Sequence, residues 1–175
     1  MNPILDAMRQ RRSVRRYKPE MPARADLEAI AEAGLWAASG HDRQLTRVVI
    51  ITDPALREKL RVMNTHIGGW AEDFDPFYGA PAVLLVLSER ATPNFIYDGA
   101  LVMGNMMLAA HALGLGSCWI NRAREEFESE EGKAILRELG IEGDYAGIGH
   151  CIVGIPDGPS PADKPRKPDR ILWVE

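Results

Sequence analysis

Apolar residues recur along the chain at two spacings, and these spacings predict a series of helices and strands. Four stretches carry them at helical intervals, namely residues 3–10, 25–38, 54–63 and 94–113. Asn2 and Asp53 suit helix caps, and each precedes a proline, which suits the first helical position. Residues 94–113 are apolar nearly all round and therefore predict a central, buried helix. A further helix over residues 125–139 is heavily charged and is expected at the surface.

Short aliphatic and β-branched runs between these helices predict strands. The predicted strands are residues 48–51, 82–87, 117–120 and 147–155. They are dispersed among helices, and no internal repeat occurs. The pattern therefore predicts one α+β domain over residues 1–175, with a mixed central sheet flanked by helices.

Two stretches follow neither spacing. Residues 64–79 are rich in aromatic rings, and we interpret them as a partly helical loop that crosses a pocket, although such rings also fill cores. Residues 156–168 contain five prolines, which predict an extended arm. The apolar run Ile171–Val174 that follows resembles a strand. An arm over residues 156–175 either reaches a partner subunit or a distant sheet edge, or is a frayed terminus that packs locally.

The charge of the chain narrows the range of its partners. The 175 residues carry a formal net charge of -4, which argues against a nucleic-acid-binding protein, because such a protein carries a basic surface. Basic residues concentrate instead in two short clusters, Arg9–Lys18 and Lys164–Arg170. Two local clusters on an acidic chain favour a small anionic ligand.

Cysteine and histidine spacing predicts no metal site. Cys118 and Cys151 form no CxxC pair, and no histidine completes a ligand spacing. Both cysteines lie in apolar runs and are expected to be buried. Residues 1–12 lack the apolar core of a signal peptide, and apolar runs such as residues 80–87 are far shorter than the ~20 residues that span a bilayer. We therefore expect no membrane partner and a cytoplasmic location.

An arginine cluster carries the strongest chemical signal. Arg11, Ser13 and Arg15 follow directly on the first predicted helix. Guanidinium forks match phosphate oxygens, and the serine hydroxyl adds a short donor. The alternative is a solvated basic face, or cations that support a helix C-terminus. Lys164 and Arg166 alternate along the proline-rich arm and form a second basic group, which alone is more often a solvated arm. Neither GxGxxG after a strand nor GxxxxGK[ST] occurs.

Four segments together resemble the nitroreductase family of flavin-dependent oxidoreductases. Arg11–Tyr17 resembles the opening Arg-Arg-Ser-x-Arg motif of that family, and Ala38–Gln44 its Pro-Ser-Gly-x-Asn-x-Gln turn. Gly114–Ile120 resembles the segment beside the flavin ring, and Lys164–Pro168 the C-terminal phosphate-contacting arm. The segments occur in the family's order and extend over essentially the whole chain.

The resemblance implies an intertwined homodimer with FMN bound at the subunit interface and a C-terminal arm that reaches the partner subunit. The residues it assigns to the FMN site are Arg11, Arg12, Ser13, Arg15, Ala38, Ser39, Gly40, Asp42, Trp119, Ile120, Asn121, Lys164 and Arg166. Residues 11–15 would bind the phosphate and the nearby ring edge, and Lys164 and Arg166 would add phosphate contacts. Ser39 and Gly40 would come from the other subunit, and the backbone of residues 119–121 would lie near flavin N5.

The turn departs from the family pattern at three places. Ala38 replaces its proline, Asp42 replaces its asparagine, and Leu45-Thr46 replaces the Pro-Trp that usually follows. A carboxylate near the flavin would disfavour electron uptake unless a neighbouring arginine, Arg43 or Arg47, pairs with it.

The function that the resemblance implies is a ping-pong oxidoreductase. Hydride would pass from NAD(P)H through flavin N5 to a small, flat acceptor such as a nitroaromatic or a quinone. No protein side chain is assigned an acid or base role, because the flavin carries the chemistry. The alternative is a flavin-binding sensor or storage protein without efficient turnover, which the change at Asp42 and the missing Pro-Trp would favour.

Overall fold

The computed structural model describes residues 2–175, and Met1, where the predicted domain and the search for a signal peptide begin, lies outside the described residues. The helices are α1 (Pro3–Gln10), α2 (Arg24–Leu35), α3 (Pro54–Gly68), α4 (Phe95–Ala112), α5 (Ala123–Glu128) and α6 (Glu130–Glu138). The strands are β1 (Thr46–Ile51), β2 (Ala82–Glu89), β3 (Gly116–Ile120) and β4 (Tyr145–Gly154). The predicted α+β class is confirmed.

The described strands form a four-stranded sheet in the order β1-β2-β4-β3. Each neighbouring pair is antiparallel, so the sheet expected to be mixed is antiparallel in its named strands. A parallel contact remains in an isolated bridge between Ser13 and Ser117. β1 and β3 are therefore the two edge strands, and the N-terminal segment lies along the outer side of β3.

Both faces of the sheet are covered, because β2 buries side chains on either side. Leu85 and Leu87 belong to a core with residues of α3, α5 and α6, whereas Leu84 and Val86 belong to a core with residues of α2 and α4. The period-2 alternation of a strand produces this division. Continuous burial explains why the strand reads as an unbroken apolar run in the sequence.

Three predicted helices differ from the observed bounds by more than one residue. α2 ends at Leu35, three residues before the predicted end at residue 38. α3 continues beyond Met63 to Gly68, where Gly69 ends it in the left-handed conformation. The charged stretch predicted as one helix is two helices, because Ser129 adopts an extended conformation and its hydroxyl caps α6 by accepting from Gly132 N. Charge pattern alone does not reveal that break, since both helices are acidic at their starts.

α4 lies at the centre of the fold, as predicted. The prediction that it is buried was only partly correct, because one side of the helix is exposed. Val102 and Met103 face the core, whereas Tyr97 and Leu101 are exposed. The tail also differs: residues 158–175 are exposed, and the described chain forms no strand at Ile171–Val174. A strand needs a hydrogen-bonded neighbour, and this run has none within the single chain. Among residues 2–175, no helix combines the length and apolarity that crossing a bilayer requires.

Candidate functional site

The arginine segment, residues 11–16, is fixed to the edge of β3. Val14 N donates to the Ser117 carbonyl at 3.0 Å, next to the bridge between Ser13 and Ser117. A Cβ on Gly116 would lie 2.9 Å from Val14 Cβ, so the close approach depends on glycine. The cluster is therefore part of the folded core's edge and is not a loose basic tail.

Hydrogen bonds also join this segment to the beginning of the C-terminal arm. Lys18 N donates to the Ile155 carbonyl at 2.9 Å, and Asp157 N donates to the Arg16 carbonyl at 3.0 Å. Farther along the arm, the carboxylate of Asp163 contacts the guanidinium of Arg12. Lys164 follows Asp163 directly, so the second basic cluster begins one residue after a contact with the first within one chain.

The arginines of the cluster differ in what their guanidinium groups contact. Arg12 donates to the carbonyls of Arg9 and Arg11 in addition to contacting Asp163. Arg11 Nη1, in contrast, is buried and finds no hydrogen-bonding partner within residues 2–175. Arg15 is exposed and lies over the Tyr78 ring at 5.8 Å. Among the described residues, Arg11 Nη1 and the Arg15 guanidinium therefore remain free to donate, whereas Arg12 joins α1 to the arm.

The outer edge of β3 offers backbone donors. Because the Ser117 carbonyl accepts from Val14, the backbone groups of Ser117 point away from β4, and strand alternation turns those of Trp119 the same way. Asn121 follows directly after the end of the strand. Asn121 N donates no hydrogen bond to any group in the described chain. Ile120, which alternates with them, pairs with His150 of β4. An elongated ligand along this edge would thus meet arginines at one end and an amide donor at the other.

The turn at residues 38–44 has strained backbone and a buried anchor. His41, Asp42 and Gln44 have φ values of 55°, 53° and 53°, in the left-handed region that non-glycine residues rarely adopt. Gly40 N donates to Oδ1 of buried Asp98 at 3.0 Å. Asp98, a positioning residue that sequence reasoning missed, thus holds the turn to α4.

Asp42 lacks the cationic partners considered from the sequence. Its Oδ1 accepts from the Gln44 side chain at 2.9 Å. Within residues 2–175 it forms no ion pair with Arg43, and the guanidinium of Arg47 instead lies 5.3 Å from the Tyr145 ring centroid. The carboxylate is therefore stabilised by an amide and not by a neighbouring charge.

The turn lies far from the arginine segment within one chain. The turn precedes Thr46 of β1, which pairs with Ser88 of β2 and, through it, lies level with Ala146 near the start of β4. The arginine segment contacts Ser117 of β3, which pairs with Val153 near the end of β4. β1 and β3 are separated by three strand spacings, or about 14 Å. One copy of the chain therefore does not bring the two predicted halves of the site together.

The aromatic residues between α3 and β2 take two different roles. Phe77 is buried in the core, as the alternative interpretation of this stretch supposed. Trp70, Phe74 and Tyr78, here called the aromatic ladder, contact one another in succession. Their centroid distances are 5.0 and 6.1 Å, with interplanar angles of 59° and 86°, so the contacts are tilted and edge-to-face. Arg122 covers one end of the ladder, 4.6 Å from the Trp70 centroid, and Arg15 covers the other. The ladder therefore runs beside β3 from the arginine segment to the end of the strand.

A buried polar network supports the end of β3. Asn64 Nδ2 donates to the Asn121 carbonyl at 2.8 Å and also to the Glu126 carboxylate. The other oxygen of Glu126 lies 2.6 Å from His150 Nε2, and both residues are fully buried. Glu126 was expected at the surface with the rest of its charged helix. Its burial had no signal in the sequence, since nothing there pairs Glu126 with His150.

The cysteines are buried, as predicted, and lie on opposite faces of the sheet. Burial raises the pKa of the Cys151 thiol to about 12, so it is a poor candidate for a reactive thiolate. No group of three or more His, Cys, Asp or Glu side chains within residues 2–175 is arranged to hold a metal ion.

Comparison with known proteins bears on this arrangement. Residues 8–155 match the profile of the Nitroreductase family. An oxygen-insensitive NADPH nitroreductase from Salmonella typhimurium is 31% identical over 139 residues, which are 74% of this chain and 58% of that protein. A relative from Methanothermobacter thermautotrophicus is 26% identical over 66% of this chain and 59% of its own length. The chain thus spans less than two thirds of these two relatives.

A solved structure matches over the whole length. The crystal structure of a nitroreductase with bound FMN from Bacteroides fragilis has a TM-score of 0.90 and 29% sequence identity, and the match covers 100% of both chains. The fold of this chain is therefore similar, over its whole length, to that of a protein crystallised with bound FMN.

Proposed function

Because the chain belongs to the Nitroreductase family, we propose that it binds FMN and oxidises NAD(P)H in a ping-pong reaction with a small, flat electron acceptor such as a nitroaromatic or a quinone. When bound, FMN would supply hydride-transfer chemistry between NAD(P)H and the acceptor. The observation that carries the proposal is the surroundings of β3. Within residues 2–175, guanidinium donors without partners lie at its beginning, and the Asn121 amide, also without a partner, follows its end.

The arginine end of this edge suits the FMN phosphate. A buried guanidinium nitrogen without a partner, such as Arg11 Nη1 within residues 2–175, is costly unless a ligand accepts from it. A phosphate dianion accepts strong, charge-assisted hydrogen bonds from arginine. Ser13 and Arg15 belong to the same segment, which is bridged to Ser117 of β3, and Lys164 follows Asp163, whose carboxylate contacts Arg12. We therefore assign the phosphate to Arg11, Ser13 and Arg15, with Lys164 and Arg166 supplementing them.

The opposite end suits the flavin ring. Asn121 N is a donor without a partner in the described chain, and Asn64 fixes the carbonyl of the same residue at 2.8 Å. A rigid donor near N5 orients the ring and stabilises its reduced form. The aromatic ladder would then form one wall of the space that NAD(P)H and the acceptor enter in turn.

We further propose that the functional unit is a homodimer whose sites are shared between subunits. Ser39 and Gly40 lie at the corner of the sheet opposite to the arginines, so they reach an FMN site if they come from a second copy. Trp36 is 81% exposed and Trp173 is 86% exposed in the single chain. Large exposed apolar side chains of this kind are typical of surfaces that another subunit covers.

An absorbance experiment tests the proposal. The purified protein should retain FMN with an absorbance band in the visible range, and addition of NAD(P)H without oxygen should bleach that band. Addition of a quinone or a nitroaromatic should restore the band, and steady-state rates should give parallel lines in double-reciprocal plots. Protein that neither retains nor rebinds FMN, or whose flavin NAD(P)H does not reduce, would contradict the proposal.

The unpaired carboxylate of Asp42 favours a second candidate, a flavin-binding sensor or storage protein. In the described chain, Asp42 accepts from Gln44 and forms no ion pair with Arg43 or Arg47. A negative charge near the ring would disfavour electron uptake. Sustained turnover with excess NADPH and a quinone supports the enzyme. Slow reduction that Asp42→Asn accelerates, in the absence of wild-type turnover, supports the sensor.

A further inference from the structure

Arg122 is a cation at the end of β3 that the binding of FMN phosphate does not employ. It follows Asn121 directly and adopts φ of 80°, in the left-handed region. Its guanidinium lies 4.6 Å from the centroid of Trp70, and the side chain is half-buried. Within residues 2–175, Arg122 forms no ion pair, whereas its neighbour Arg124 pairs with Glu128 at 3.0 Å. Within the described residues, the chain thus holds a positive charge without an ion-pair partner beside the Asn121 amide.

The surroundings of Arg122 define a small polar cavity of about 380 Å³. Its lining residues are Ile67, Asn121, Arg122, Arg124, Glu125 and Ile148. Stacking on an indole holds a guanidinium plane in place and leaves its edge nitrogens free to donate. Glu125 opposes this positive charge, and Arg124 is already partly neutralised by Glu128. The preference of the cavity for anions therefore depends on Arg122.

We propose that Arg122 is a specificity-determining residue that selects flat acceptors carrying an anionic group, such as a carboxylate on the aromatic ring. This inference rests on the proposed function, because it takes the Asn121 amide as the marker of the reacting ring. Arg122 is one residue away from that amide, so its guanidinium is close enough to bind a short anionic substituent on the acceptor ring. The phosphates of NAD(P)H are a second source of anionic groups, but a ribose separates them from the nicotinamide.

The two substrates can be separated by measuring each half-reaction alone. The FMN-loaded enzyme is reduced, and its reoxidation by 4-nitrobenzoate or by the methyl ester of that compound is followed by stopped flow. The two acceptors share the nitroaromatic ring and differ in charge. Loss of one charge-assisted hydrogen bond from Arg122→Gln should lower the benzoate-to-ester ratio of second-order rate constants about tenfold. Glu125→Gln should raise the same ratio.

A binding measurement provides a readout independent of turnover. The dissociation constant of benzoate for the oxidised protein, measured by calorimetry, should rise about tenfold in Arg122→Gln, whereas that of benzamide should change much less. Arg137→Gln is the matched control. It removes the same charge from an exposed position on α6 and should leave both ratios unchanged.

Several outcomes would overturn the inference. They are an equal loss of rate with both acceptors in Arg122→Gln, an unchanged benzoate affinity, and a defect confined to reduction by NADPH. The last would assign the cation to the dinucleotide. A wild-type protein that holds no flavin, or turns over neither compound, would contradict the proposed function itself. A wild-type enzyme that turns over both, with a ratio insensitive to Arg122, would contradict this inference alone.

Discussion

Replacement of Arg11 by glutamine should weaken FMN binding by one to two orders of magnitude. Arg11 Nη1 is buried and has no partner within residues 2–175, so its donor is available to a phosphate oxygen. A hydrogen bond between charged groups contributes about 1.5–3 kcal/mol. Since each 1.4 kcal/mol corresponds to a factor of ten, the dissociation constant of FMN should rise about 10- to 150-fold.

The same substitution, Arg11→Gln, should weaken FMN binding but should not destabilise the flavin-free protein. A buried polar group without a partner costs about 1–3 kcal/mol, and Arg11→Gln removes such a group along with its charge. The free energy of unfolding of the flavin-free variant should therefore equal or exceed that of the wild type. Urea unfolding, monitored by circular dichroism, measures this difference.

Arg16→Gln is the control for the loss of a positive charge. The Arg16 side chain is 77% exposed, and its Nε contacts Asp157 Oδ2 at 2.9 Å. Exposed pairs contribute roughly 0–1 kcal/mol, so FMN affinity should change by less than about fivefold. Titration of flavin fluorescence at two salt concentrations compares the variants. The assignment of the phosphate to Arg11 is refuted if Arg11→Gln binds FMN like the wild type, or if Arg16→Gln is equally impaired.

Other predictions follow from single contacts. Gly116→Ala would bring a Cβ to 2.9 Å from Val14, and the displaced arginine segment should lower the free energy of unfolding by about 1–3 kcal/mol in urea. In the wild type, Gly40 N donates to Asp98 Oδ1 at 3.0 Å. Asp98→Ala removes this acceptor and should lower the melting temperature. Trp173→Asp should leave circular dichroism unchanged while light scattering shows monomers, because this side chain is exposed in the single chain. Burial raises the pKa of Cys151 from 9.0 to about 12, so the unfolded state loses its proton first and stability should fall between about pH 9 and 12. Urea midpoints at pH 8 and 10 measure this slope, which Cys151→Ala should reduce.

Local signals predicted the beginnings of helices well. The Asn2 side chain accepts from Ile4 N and Leu5 N, and the Asp53 side chain accepts from Leu56 N. Capping depends on residues two or three positions apart, so it is visible in the sequence. The length of α3 was not visible in the sequence. Asn64 and Thr65 suggested a polar loop, whereas in the fold they are buried and hydrogen-bond to residues outside the helix.

The candidate site was predictable in its composition but not in the state of each arginine. Resemblance to a family pointed to residues 11–15 and to the arm. Which guanidinium stays free depends on Asp163, 151 positions from Arg12 in the chain, and no local pattern encodes that contact. The pairing of Glu126 with His150 is equally non-local. The high charge of its helix suggested an exposed carboxylate, whereas packing against β4 buries Glu126.

The separation of the arginine segment and the Ser39–Asp42 turn at opposite corners of the sheet has a genetic consequence. With shared sites, one copy carrying Arg11→Gln and another carrying Asp98→Ala, which loosens the turn, are each impaired as homodimers. A mixed dimer of the two contains one site with both lesions and one with neither. Coexpression of two poorly active variants should therefore restore up to half of the wild-type activity per mixed dimer, a rescue that a site confined to one polypeptide would not give.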